Sequence, residues 1–217
     1  MIVLDIETSG LDSGRCGIWQ IGAIDLRSKR EFLQEARIDG EDVIEVEALK
    51  VTGKTEKELR DSKKQSQKEM IINYLDWLNH VKEKMFTGQN VGWDISFIQN
   101  KCIRYMIIDR FREIHSQRSI DLHAVVQERY FQIHGHYFID GKGKSKMNLS
   151  QELEFCGLPD ERINLQGSVV VKEGKPHNAL EDCRLEGEIF SRLKYGKNLF
   201  LEYTQFKIPE APKKWNR

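Results

Sequence analysis

Five residues have the types and spacing to do chemistry together: Asp5 and Glu7 near the amino terminus, Asp94 mid-chain, and His177 five residues before Asp182. Carboxylates without accompanying thiolates are hard oxygen ligands, which favour Mg²⁺ or Mn²⁺ over Zn²⁺. A histidine among them, with a reference pKa of about 6.5, can accept a proton at neutral pH. The arrangement reads as a two-metal phosphodiester-cleaving centre, in which ions about 3.5–4 Å apart clamp the attacking and leaving oxygens. Asp5 and Glu7 follow the apolar run Met1-Ile2-Val3-Leu4. Alternate residues of a strand project to one face, so both carboxylates can point at one ion. Two acids separated only by Ile6 also repel one another, which a cation relieves.

The elements that must position these residues are largely readable. Residues 2–6 are expected to form a buried strand, and residues 18–26 and 31–38 two more, antiparallel neighbours across the polar turn at 27–30. Thr55 with Glu58 and Ser66 with Glu69 are capping-box signatures; the second opens a helix of about four turns with Ile71, Tyr74, Leu75 and Leu78 at helical spacing. Residues 84–87 read as a short strand delivering Asn90 and Asp94, and the helix after it buries Ile95, Ile98 and Cys102. Residues 119–122 pass from a strand into a helix with Val125 and Val126. Asn148 with Gln151 caps another helix, stopped by Gly157-Leu158-Pro159. Residues 167–174 are expected to make a small hairpin around Val169-Val170-Val171. The last helix opens at Asn178 and runs through Leu185, Ile189, Phe190 and Leu193. With Asn178 as its N-cap and Glu181 reaching back, Asp182 is fixed in the first turn, whereas His177 lies on a loop that can move. Beyond residue 195 the chain reads as an appendage, with Pro209 and Pro212 breaking regular structure and Lys213-Lys214 solvated.

Three segments in order, Asp5-Ile6-Glu7-Thr8-Ser9-Gly10-Leu11, Gly88-Gln89-Asn90-Val91-Gly92-Trp93-Asp94 and His177-Asn178-Ala179-Leu180-Glu181-Asp182-Cys183, resemble the exonuclease motifs of the DEDDh branch of the DnaQ-like family. That family includes the proofreading epsilon subunit of bacterial replicative polymerases, ribonuclease T and oligoribonuclease. The resemblance runs over residues 1–193; it departs from the commonest wording at Ser9, where Thr is frequent, and at Gln20, where Glu is frequent. It implies an α/β domain of ribonuclease H-like fold over residues 1–195, with a mixed central sheet of about five strands, one antiparallel, flanked by helices, and an appendage at 196–217. It further implies a two-metal 3′-to-5′ exonuclease that uses Mg²⁺ or Mn²⁺ on single-stranded 3′ ends and releases nucleoside 5′-monophosphates. Asp5, Glu7 and Asp182 would hold the ion that binds the attacking water, Asp5 would bridge to the second ion, and Asp94 would complete the site. His177 would be the general base. By the same resemblance Glu7 would also hydrogen-bond the terminal 3′-hydroxyl, the backbone from Thr8 to Gly10 would bind the terminal nucleotide, and Leu11 would wedge against the last base.

Other segments carry competing readings. Tyr130, Phe131, Tyr137 and Phe138 alternate with His134, His136, Lys142, Lys144 and Lys146, a mixture that stacks bases and tracks phosphates. Tyr137 and Phe138 are therefore candidate substrate contacts; a partly buried element followed by a solvated lysine loop fits equally well. Asp94 taken alone could be an acid on a helix dipole. Asn90 is expected to be a turn residue, and Trp19 and Trp93 core aromatics. His134-Gly135-His136 lacks the further ligands a metal site needs. The charged run 54–68 reads as a solvated face.

Composition sets the frame. A chain of 217 residues suffices for one α/β domain. Lys+Arg and Asp+Glu both total 34, and this balance argues against a protein that coats duplex DNA. It leaves a nuclease open, because bound cations supply positive charge at the site itself. Cys16, Cys102, Cys156 and Cys183 form no C-x-x-C and are expected to be reduced thiols. With neither a leader pattern nor a run of membrane-spanning length, a soluble cytoplasmic protein is expected. DNA is the expected substrate, in proofreading or repair and with a DNA polymerase as a candidate partner. RNA 3′-end trimming and a catalytically quiet end-binding subunit are the alternatives, since the contact that tests a 2′-hydroxyl is not visible in sequence. The oligomeric state stays open.

Overall fold

A computed structural model of the chain describes residues 1–116, 118–166 and 169–210. Strand β1 (Ile2–Thr8) is buried along its length apart from Asp5. It pairs antiparallel with β2 (Ile18–Asp25) and parallel with β4 (Phe86–Gly88). The far edge of β2 takes β3 (Glu31–Glu35) antiparallel, and the far edge of β4 takes β5 (Ser119–Asp121) parallel. The strand order is thus β3-β2-β1-β4-β5, the expected mixed five-stranded sheet, with β2 running against the other four. Every residue of β2 is buried, as a strand covered on both faces requires. β3 stops at Glu35, short of the expected residue 38.

Strand alternation decides which way the acids face. Ile2, Leu4 and Ile6 pack with Met70, Tyr74 and Leu78 of α3 (Gln67–Asn79) and with Ile95 and Ile98 of α4 (Val91–Arg104). Val3 faces the other way, against Ile24 and Cys183 of α8 (Ala179–Tyr195). A period of two places Asp5 and Glu7 on the Val3 side, toward α8. A second core cluster joins α8 to α6 (Leu122–His134) and α7 (Leu149–Phe155) through Leu122, Val126, Leu153, Ile189 and Leu193. Helices α1 (Val46–Thr52), α2 (Glu56–Leu59) and α5 (Ile108–Ile114) complete the layers; sequence periodicity pointed to neither α1 nor α5.

Both capping boxes form as expected, Thr55 with Glu58 and Ser66 with Glu69. The cap of α8 is one-sided instead: Asn178 Oδ1 accepts the N–H groups of Leu180 and Glu181 at 3.1 and 3.2 Å, while the Glu181 side chain stays exposed. The hairpin starts earlier than expected, with β6 (Asn164–Gln166) pairing with β7 (Val169–Lys172). Its tip at 167–168 lies outside the described residues, as do Pro212, Lys213 and Lys214. No helix among the described residues is long and apolar enough to cross a membrane. All four cysteines are buried and none is in a disulfide.

Residues following α8 pack back onto it through a buried ion pair. Arg192 Nε donates to Glu188 Oε1 at 2.9 Å, and both side chains are fully buried. The remaining Arg192 donors reach the carbonyls of Cys156, Gly157, Tyr203 and Phe206, and Glu188 Oε2 accepts the N–H groups of Leu199 and Phe200. Removing one member leaves the other buried and uncompensated, which typically costs about 3–5 kcal/mol. Glu188→Ala should therefore lower the stability measured by urea denaturation by about that amount. A shift below about 1 kcal/mol, the range of exposed pairs, would contradict this role.

Candidate active site

The carboxylates come from three elements that meet at the carboxyl end of β1. Asp5 pairs in register with Gly22 of β2, and Glu7 with Gln20. A Cβ at position 22 would lie 2.4 Å from the carbonyl carbon of Ala179, so glycine in the centre of β2 lets the start of α8 settle on the sheet. Gln20 fastens that approach: its Oε1 accepts the Ala179 N–H at 2.8 Å. Asp182, in the first turn of α8, is thereby presented to Asp5 and Glu7. Asn90, with φ of 57°, adopts the left-handed conformation that asparagine tolerates, and opens α4. Its backbone N–H donates to Asp121 Oδ1 at 3.1 Å. One turn on, Asp94 Oδ1 accepts the Ile6 N–H at 3.1 Å, between the two acids of β1. Donors on Glu7, His177 and Asp182 all lie within 4.8 Å of one another.

His177 sits just before the cap of α8, its backbone N–H donating to Val51 O at the end of α1. Its Nε2 lies 2.9 Å from Ile163 O, and a carbonyl only accepts, so Nε2 carries the hydrogen in the neutral ring. That leaves Nδ1 as the proton-accepting atom, 3.6 Å from Asp182 Oδ2.

The electrostatics are those of a cluster short of positive charge. Asp5 is raised well above the usual carboxylate range by burial and then by Asp94, Asp182, Glu186 and Glu7. Glu7 is raised by burial, Asp182 and Asp94, with Arg162 opposing. Asp94 is raised mainly by burial, against the Ile6 hydrogen bond. Asp182 Oδ1 is buried with no hydrogen-bond partner. Hard oxygens crowded in this way, with one left unpaired, fit a divalent cation.

Two further acids were not singled out in the sequence. Glu186 lies one turn after Asp182 on the same face of α8, is buried, and accepts the Gln89 N–H at 2.9 Å while its Oε2 is unpartnered. Glu152 of α7 is fully buried and pushed up to about 8 by burial and Asp121. With its amide nitrogen turned toward α7, Gln89 donates to Glu152 Oε2 at 3.1 Å. The i, i+4 spacing from Asp182 was the one available signal for Glu186.

A cleft of about 500 Å³ opens beside the cluster and is lined by Glu7, Thr8, Gly10, Leu11, Trp93 and His177, with α1 as its far wall. Trp93 packs against the core as expected, edge-on to Phe97, and being only partly buried it also lines this cleft. Leu11 is 76% exposed at the rim. The loop that carries it is fastened to residues 43–45: Ser9 Oγ donates to Val43 O, and the Leu11 N–H donates to Glu45 Oε2. A Cβ at Gly10 would lie 2.5 Å from Glu45 Cδ, so glycine admits that fastening. Tyr137 and Phe138 do not line the cleft. Tyr137 is half exposed and rests on Phe131, and Phe138 packs into the α6–α7 core with Tyr130 and Phe155.

Groups whose folded pKa exceeds the unfolded one bind extra protons when folded, so stability falls as pH rises between the two values. Asp5, Glu7, Asp94 and Glu186 are of this kind, and Glu152 titrates near 8. His115, buried and pushed down to about 4, acts in the opposite sense, but it is neutral in both states once the pH passes the ordinary histidine range. The metal-free protein should therefore melt at progressively lower temperature from about pH 6.5 to 8.5, and Mg²⁺ should restore most at the upper end. A melting temperature in chelator that rises across that interval would contradict the cluster.

A model of the exonuclease family described as RNase_T matches residues 2–190. Among solved structures, Escherichia coli exonuclease I in complex with a dA16 oligonucleotide superposes with a TM-score of 0.64 at 16% identity, covering 90% of this chain and 41% of that one. Exonuclease I from Methylocaldum szegediense gives 0.61 at 18%, covering 91% and 41%. Cell-death related nuclease 4 gives 0.60 at 16%, covering 91% and 64%. The chain thus spans about two fifths of the length of the exonuclease I chains it matches. A comparison with curated proteins returns no significant match. The mixed sheet and flanking helices are those of a ribonuclease H-like exonuclease fold, and the chain belongs to the exonuclease family.

Proposed function

We propose that the chain is a divalent-metal-dependent 3′-to-5′ exonuclease that removes nucleoside 5′-monophosphates from the ends of single-stranded DNA, in proofreading or repair. The observation that carries this reading is the meeting of four carboxylates and one histidine beside a cleft lined by Glu7, Leu11, Trp93 and His177. Deoxyoligonucleotides are bound in the structurally similar exonuclease I, which favours DNA over RNA here.

In this reading Asp5, Glu7, Asp94 and Asp182 hold two Mg²⁺ or Mn²⁺ ions. When bound, such ions polarise the attacking water and neutralise charge on the phosphoryl oxygens. The rest falls to the chain's own residues. His177 takes the proton of the attacking water through Nδ1, while its Nε2–H on Ile163 O holds the ring in place. Glu7 accepts a hydrogen bond from the terminal 3′-hydroxyl. The backbone from Thr8 to Gly10 seats the terminal nucleotide, and Leu11, exposed at the rim, wedges under its base. Tyr137 and Phe138, outside the cleft, contact an upstream part of the strand together with the exposed lysines that follow them. We assign the activity to residues 1–195, and residues 196–217 to an appendage.

An end-dependent site needs a free, unstacked terminus, and opening a pair costs a few kcal/mol. A 5′-labelled single strand should shorten one nucleotide at a time in Mg²⁺, faster than a blunt duplex, with a circular strand untouched. His177→Ala should keep Mg²⁺ binding by calorimetry and lose about 10²–10⁴-fold in turnover. Cutting of the circle, or a ladder from the 5′ end, would overturn the proposed polarity. Faster digestion of an RNA of the same sequence would overturn the substrate assignment.

A further inference from the structure

Arg162 lies on the segment that leads into the β6–β7 hairpin and is 8% exposed. Its Nε donates to Asp160 Oδ1 at 3.0 Å, its Nη2 approaches Asp160 Oδ2 at 3.5 Å, and its Nη1 reaches Asp182 Oδ2 at 3.3 Å. Asp160 is itself anchored, accepting from Ser150 Oγ at 2.6 Å and Asn164 Nδ2 at 3.1 Å. One oxygen of Asp182 is therefore taken up by a clamped guanidinium, and the other, Oδ1, is the buried atom without a partner. The same segment acts on the histidine. Ile163 O accepts the His177 Nε2 hydrogen, and the segment is held to the residues leading into His177 by the bonds Ile163 N–H to Lys175 O and Lys175 N–H to Glu161 O.

We propose that Arg162 is a positioning residue for the active centre. Held by Asp160, it engages Asp182 Oδ2 beside His177 Nδ1 and fixes the carboxylate with Oδ1 left free to take an ion. This rests on the metal-centre reading of the preceding subsection. The geometry favours positioning over a direct role on substrate: Nε, Nη1 and Nη2 each reach a carboxylate oxygen, and Arg162 does not line the cleft beside Glu7 and His177. A planar fork can span Asp160 and Asp182 at once; an ammonium on a flexible stem presents a single point charge and does not fix both. Groups that orient a metal ligand typically contribute about 10–100-fold to metal affinity.

The test is calorimetric titration of Mn²⁺ into the metal-free full chain, native and in the variants Arg162→Lys, Arg162→Gln and Asp160→Asn, with each variant's melting temperature measured in chelator. Asp160→Asn acts from the far end of the clamp and leaves the charges that touch Asp182 unchanged, so it serves if the arginine variants fold poorly. Positioning predicts that Mn²⁺ affinity falls about 10–100-fold in Arg162→Lys despite the retained charge, and falls in Asp160→Asn. Native affinity in Arg162→Lys would overturn it. Tighter binding in Arg162→Gln would likewise overturn it, by showing that the guanidinium only competes with the ion. No Mn²⁺ binding by the native chain would instead overturn the metal reading, and the assignment of Arg162 with it.

Discussion

Repulsion among buried carboxylates governs how this fold is put together. Asp5, Glu7, Asp94 and Glu186 gather around Asp182 in a space where burial and neighbouring acids disfavour their ionisation. A chain selected for stability alone would disperse them, since like charges brought together out of water weaken the fold that holds them. Arg162 touches one member, Asp182, and meets only part of the deficit. Protons relieve the remainder in the metal-free chain, and in the proposed reading divalent cations would take their place, which links the fold to metal-assisted chemistry.

Keeping such a cluster in register requires elements that do not yield. Backbone donors perform much of this work: Ile6 N–H holds Asp94, Gln89 N–H holds Glu186, and Asn90 N–H ties its loop to Asp121. The approach of α8 to the sheet depends on the missing side chain at Gly22 and on the amide of Gln20. Glutamine at position 20 is a neutral hydrogen-bonding strut beside an already acidic centre, where a glutamate would add a charge and remove the Nε2 donor that reaches Glu35. Ser9 performs a comparable task in the loop after β1, since its hydroxyl joins Val43 and Gly17. Both departures from common family wording therefore have local structural consequences without touching a ligand.

What could be read in the sequence was local. Two acids in strand alternation, a cap followed by an acid in the first turn, and two capping boxes are patterns whose geometry is fixed within a few residues, and each appears where expected. Glu186 was missed because Leu185 and Ile189 mark its helix as a core element, and a glutamate beside them reads as a solvated charge. Glu152 and Arg162 were illegible for a different reason. Their importance comes from where α7 and the segment before β6 dock against α8, and docking over such sequence distances leaves no periodic trace. Trp93 packs on the core as its type suggests, but the first turn of α4 also brings it to the cleft, a position that residue type alone does not reveal. Tyr137 and Phe138 show the converse, since an aromatic and basic composition says what a segment can bind but not which face of the molecule it occupies.

If the carboxylates form one centre for divalent cations, diffraction can locate the ions. Anomalous diffraction from crystals of the protein soaked in Mn²⁺ with a nucleoside 5′-monophosphate should show two manganese ions roughly 3.5–4 Å apart, ligated by Asp5, Glu7, Asp94 and Asp182, with Asp182 binding through Oδ1. Manganese found only on surface carboxylates, with Asp5 and Asp182 left unligated, would show that these acids are not a metal centre.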